Sequence, residues 1–219
     1  MKKFILCLIT LMLSVPVCMA DELRLDKEIP YQKKIMAVGF RILNANNIDK
    51  RMTFYYCNDK DVKAKTYSIS KKICIYKGLI PFIDSDDELA AVISHEIAHG
   101  MDLHEGLLRR IAMNLRPVKY EKKANQTAVD LMVNAGYNPL ALIIILNKIN
   151  AEPGFATSRS NGTKKLAVIY EYIYNKYPAY LVYNDYKENL YYQNFLLTSK
   201  HERAQIRQKY LKNNITPED

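Results

Sequence analysis

Among four histidines in a chain of 219 residues, two stand four apart with a glutamate between them: His95-Glu96-Ile97-Ala98-His99. Residues four apart share one face of a helix, so both imidazoles can bind a single zinc ion. Glu96 then lies beside the open side of that ion, where a carboxylate can take a proton from water. Composition alone would give this pattern on the order of once in 300 chains. A pair of ordinary surface histidines is therefore a weak competing explanation.

Two imidazoles do not complete a catalytic zinc site, which needs a third protein ligand. His104 is close, but five residues past His99 it is rotated away from the His95/His99 face. Glu121 is better placed, on the following helix, which can pack antiparallel and present its carboxylate. His201 is open on geometry alone, though a distant lone histidine is more often a surface residue.

The elements that must hold these groups are legible nearby. Ser85-Asp86-Asp87-Glu88 is a capping box, and its three acids suit the positive end of a helix dipole. Leu89, Val92, Ile93, Ile97 and Met101 follow at helical spacing, so a helix is predicted from about Asp86 to His104. A second helix is predicted over Val118–Ala135, stopped by Gly136, and a third starts with Asn138 as cap and Pro139 in the first turn. Earlier, Tyr31–Leu43 reads as a helix ended by Asn44–Asn47. Met52–Cys57 and Lys72–Tyr76 read as strands, with Asn58–Asp61 as a turn between strand segments. Thr163–Tyr177 and Asn184–Tyr210 supply further helix, broken at Pro178 and around Ser199. The expected fold class is α+β, mainly α, with one small sheet.

Composition sets the frame. With 49% apolar and 25% charged residues, the chain is an ordinary globular protein without repeats or low-complexity tracts. Lys2, Lys3 and the apolar run Phe4–Leu13, followed by small residues up to Ala20, have the layout of a secretory signal peptide. The expected organisation is a signal peptide over 1–20, a single domain over 21–213 and a flexible tail over 214–219. The protein is then exported to the periplasm or beyond. The less favoured alternative keeps residues 4–20 as a membrane anchor. Loss of the two leader lysines takes the formal charge from +9 to +7. That charge suits weak association with a membrane or cell-wall surface. Seventeen tyrosines come without a recognition motif, so nucleic acid is not an expected partner. Cys7 and Cys18 leave with the leader; Cys57 and Cys74 remain, on strands that can pair, and an oxidising compartment invites a structural disulfide between them.

The segment Asp87–His99 resembles the zinc helix of the HtpX/Oma-type zinc metallopeptidases, metallopeptidase family 48. The likeness reaches back through Ile75-Tyr76-Lys77-Gly78-Leu79-Ile80. It reaches forward to Glu121-Lys122-Lys123-Ala124-Asn125 and Ala135-Gly136-Tyr137-Asn138-Pro139, where the family reads E-x-x-A-D and A-G-Y-[DN]-P. His104 also matches a histidine often found there. The resemblance implies a zincin-like (gluzincin) fold with its sheet packed on the HExxH helix, one zinc per chain, and Glu121 as third ligand. It further implies peptide-bond hydrolysis in or near an envelope, with unfolded or misassembled exported polypeptides as substrates. Two departures stand out. Asn125 replaces an aspartate that would support a ligating imidazole, and an amide does so without the charge that raises the ligand's basicity. Arg159 occupies the place of a histidine that would polarise a substrate carbonyl; it is either a fixed positive charge in its stead or an ordinary surface residue with that function lost. These departures keep open a second reading, a catalytically impaired zinc-binding scaffold or holdase. A third, a zinc hydrolase of cell-wall amide bonds, is favoured only by charge and tyrosine content. An edge strand over Lys72–Tyr76 is a further expectation, as the place where an extended substrate adds by main-chain pairing.

Overall fold

The computed structural model describes residues 29–67, 69–103, 117–151 and 159–213, with the side chains of Leu103, Arg159–Asn161 and Asn213 excluded. The expected signal peptide over 1–20, His104 and the expected tail over 214–219 lie outside the described residues.

The first helix, α1, covers 29–45 and buries Ile35, Val38 and Ile42 at helical spacing. Its end is made by asparagines, as expected: Asn46 Nδ2 donates to Ile42 O at 2.8 Å, and Asn47 takes a left-handed φ of 51°. Three strands follow: β1 (Thr53–Cys57), β2 (Ala64–Tyr67) and β3 (Lys72–Tyr76). They lie in the order β1-β3-β2, with β1 parallel and β2 antiparallel to β3. The strand expected at the edge, Lys72–Tyr76, is therefore the central one, and β2 is the free edge on the metal-helix side. Its near-continuous apolar run Ile73-Cys74-Ile75-Tyr76 is what a strand covered on both sides requires, and all four residues are buried. Period two sends Phe54, Ile73 and Ile75 to the inner face, against the helices, and Tyr55, Lys65, Tyr67 and Lys72 outward. Cys57 and Cys74 form a disulfide, with Cα atoms 5.7 Å apart.

A short 3-10 helix (Lys77–Phe82) leads from the sheet to the helical layer. Its Gly78 donates to Asp59 O, and a Cβ there would fall 2.0 Å from the carbonyl oxygen of Lys60. Only glycine permits that approach. Next come α2 (Asp86–Leu103), α3 (Pro117–Asn134), α4 (Leu140–Ala151) and α5 (Arg159–Lys176). Helix α3 ends at the expected glycine, Gly136, with φ 73°. Helix α4 opens with Leu140 N donating to Asn138 Oδ1, the predicted cap. Its Leu140-Ala141-Leu142-Ile143-Ile144-Ile145 run is buried all round, making it the central rod of the helical layer.

The C-terminal half differs from expectation in one respect. Instead of one stretch from Asn184, α6 (Ala179–Val182) is followed by turns, then α7 (Leu190–Thr198) and α8 (Lys200–Asn213). Asparagines account for the difference. Asn184 Oδ1 accepts from Tyr186 N, and Asn189 Oδ1 accepts from Tyr191 N and Tyr192 N, which delays the helix start. The breaks at Pro178 and Ser199 fall where predicted. The result is mainly helical with one small sheet on α2, and a single core cluster joins Ile35 of α1 to Phe195 of α7. None of the described helices is long and apolar enough to cross a membrane.

Candidate metal centre

Helix α2 is fixed at its start. Ser85 Oγ accepts from Glu88 N, and Glu88 Oε2 reaches back to Asp84 N at 2.9 Å. Lys148 of α4, almost wholly buried, holds both oxygens of Glu88 at 2.8 Å and donates to Phe82 O. Asp87 accepts from Asn138 N and from the Tyr186 hydroxyl. The helix is thus anchored to α4 and to the turn before α7 two turns ahead of its functional residues.

His95 and His99 lie one turn apart, with Nε2 atoms 3.0 Å from each other and rings nearly perpendicular. Helix α3 packs along α2 and brings Glu121 to them: Oε1 is 3.2 Å from His99 Nε2, and Oε2 is 3.8 Å from His95 Nε2. An ion-pair clamp holds this alignment, since Lys123 Nζ is 2.7 Å from the buried carboxylate of Asp102. Among the described residues, His95, His99 and Glu121 form the group that could hold a metal ion, their ligand atoms all within 4.8 Å.

Two features bear on whether zinc fits. Ligands at zinc distance around a tetrahedral ion are about 3.4 Å apart, and the three separations bracket that value. In addition, burial and then the neighbouring His99 push the His95 imidazole below its ordinary pKa, toward the neutral form a metal requires. Burial also opposes charge on His99, but the Glu121 hydrogen bond and the Glu121, Glu96 and Asp102 carboxylates outweigh it and raise its pKa. The same bond from His99 holds the Glu121 carboxyl below its usual range. The donor set fits zinc.

Glu96 is oriented by a residue the sequence does not single out. Thr66, on the edge strand β2, donates to Glu96 Oε2 at 2.7 Å, and its hydroxyl also lies 2.8 Å from the backbone oxygen of Glu96. Asn125, one turn after Glu121, is buried beside His95 and acts on it, yet the hydrogen bond is not closed. Asn125 Oδ1 and His95 Nδ1 are both buried without a partner. His201 sits on α8, exposed and 2.8 Å from Gln205, and is not part of the metal group. Arg159 opens α5, but its side chain lies outside the described part. Between α3 and α5 a cleft of about 400 Å³ reaches Glu121 and Asn125, with Val118, Val168 and Ile169 as apolar wall and Lys165 on its lining.

Two imidazoles and a carboxylate on adjoining helices, with a second carboxylate held beside them, define a candidate metallohydrolase centre. The family model for Peptidase family M48 matches residues 31–118, in agreement with the family that the motifs resemble. The match contains His95, Glu96 and His99 and ends short of Glu121, so the third ligand stands on geometry. A comparison with curated proteins gives no match.

Proposed function

We propose that this protein is a zinc-dependent endopeptidase of zincin-like (gluzincin) fold, which hydrolyses exported polypeptides, unfolded or misassembled, outside the cytoplasm. The observation that carries the reading is the convergence of His95, His99 and Glu121 with Glu96 pinned by Thr66. His95, His99 and Glu121 would hold the zinc, which when bound would supply a Lewis acid for a carbonyl and for a water. Glu96 takes the proton from that water and hands it to the leaving amine. Thr66 holds one oxygen of Glu96, which limits rotation of the carboxylate and keeps the other for the proton. The cleft wall of Val118, Val168 and Ile169 beside Glu121 is fit for an apolar substrate side chain. The edge of β2, whose Thr66 side chain touches Glu96, is where an extended backbone would add.

The test is zinc content and casein cleavage measured in parallel on the wild type and Glu96→Gln. One zinc per chain in both, with cleavage by the wild type alone, is the expected outcome. Zinc in both with cleavage by neither would replace the reading with the scaffold, for which the open contact between Asn125 and His95 speaks.

A further inference from the structure

On the far side of the sheet from the metal helix lies a surface that the peptidase reading does not use. A cleft of about 390 Å³ is lined by Arg51, Thr53, Tyr55, Ser70, Lys71 and Lys72, with Ile69 at its mouth. Three of these are cations, two are aliphatic hydroxyls, and no carboxylate lines it. No described carboxylate forms an ion pair with Arg51, Lys71 or Lys72.

Beside the cleft the outward face of the sheet pairs cations with tyrosine rings. Lys72 Nζ stands 4.7 Å from the Tyr55 centroid, and Lys65 Nζ 5.1 Å from that of Tyr67. Both rings remain more than a third exposed. Ile69 is 91% exposed, at the turn joining β2 to β3. A β-branched apolar side chain left in water at a turn, ringed by arginine and lysine, gains nothing for the fold. The same set suits the boundary of a bilayer: cations for phosphate headgroups, tyrosines at headgroup depth, and one aliphatic tip for the acyl region.

We propose that the β2–β3 turn and the outer sheet face dock the protein on an anionic phospholipid surface, with Ile69 inserted and Arg51, Lys71 and Lys72 on headgroup phosphates. The inference is independent of whether the chain cleaves peptides. Its geometry has a corollary. Thr66 points inward to Glu96 while Tyr67 points outward, so docking would hold the edge of the candidate active site at the lipid surface.

Flotation of the purified full chain with vesicles tests the idea. The wild type should float with phosphatidylcholine vesicles containing phosphatidylglycerol, and not with phosphatidylcholine alone, with binding falling as salt rises. The triple variant Arg51→Gln/Lys71→Gln/Lys72→Gln should bind on the order of a hundredfold more weakly. Ile69→Ser, which leaves the charge untouched and cannot disturb the core, should cost about tenfold. Equal binding to both kinds of vesicle, or a triple variant that floats like the wild type, overturns the proposal. Weakening by the cation changes with Ile69→Ser unaltered also overturns it, because the contact would then be electrostatic with nothing inserted.

Discussion

The start and the middle of α2 are built by opposite rules. At its start every acidic side chain is tied to partners from other parts of the chain, Asp86 to Lys34 of α1 at 2.5 Å. Glu88 is held by Lys148 and by Asp84 N, and Asp87 by Asn138 and Tyr186. Two turns later, Ser94 Oγ and His95 Nδ1 are buried with no partner, and Asn125 Oδ1 is unpartnered beside them. Unsatisfied buried polar atoms cost roughly 1–3 kcal/mol each, so the middle of the helix is held together by its ends. The difference teaches that rigidity here is imported: satisfied groups at the helix start keep unsatisfied ones aligned where chemistry needs them.

The comparison can be broken by exchanging the consequences of mutation. Glu96→Gln should lower cleavage between a hundred- and ten-thousandfold while zinc content and thermal midpoint stay unchanged, read by peptide hydrolysis and calorimetry. Lys148→Met should do the reverse. Leaving Glu88 buried and uncompensated is expected to cost ~3–5 kcal/mol in urea unfolding, with near-normal activity per folded molecule. Adding Glu88→Leu to it should restore much of that loss, because the stranded charge is gone. If Lys148→Met instead abolished activity without loss of stability, the division between the start and the middle of the helix would be wrong.

Two smaller changes sharpen it. Thr66→Val removes the donor to Glu96 and should lower kcat by about tenfold, with little change in KM or zinc content. Asn125→Asp should close the open contact with His95 and tighten zinc about tenfold, measured by competition with a metallochromic chelator. Unchanged or weaker zinc binding in Asn125→Asp would mean that the amide already serves His95 fully.

What the sequence discloses and what it hides divide along the range of the interaction. Helix α2, its cap, Gly136 and the Asn138 cap are set by residues a few positions apart, and each is where the spacing predicts. The placement of Glu121 follows from two helices packing side by side. Thr66 is another matter: nothing in Ala64-Lys65-Thr66-Tyr67 marks it, because its partner is 30 residues away across a sheet-to-helix contact. The same holds for Lys148 with Glu88, 60 residues apart, and Lys123 with Asp102. The central place of β3 is a different lesson, since the apolar run of Ile73–Tyr76 contained the information and the edge assignment went against it. Asparagine in the C-terminal half misled by the same property that makes it informative elsewhere, its readiness to bond its own backbone.

The Cys57–Cys74 bond spans 17 positions, and β2 with Thr66 lies wholly inside that loop. Closing a loop of this size removes roughly 3 kcal/mol worth of disorder from the denatured ensemble, in the chain-entropy account. That restriction falls on the strand whose Thr66 donates to Glu96, so the covalent link favours the state in which this contact forms. Oxidation of these two thiols therefore favours the folded arrangement in which Thr66 reaches Glu96.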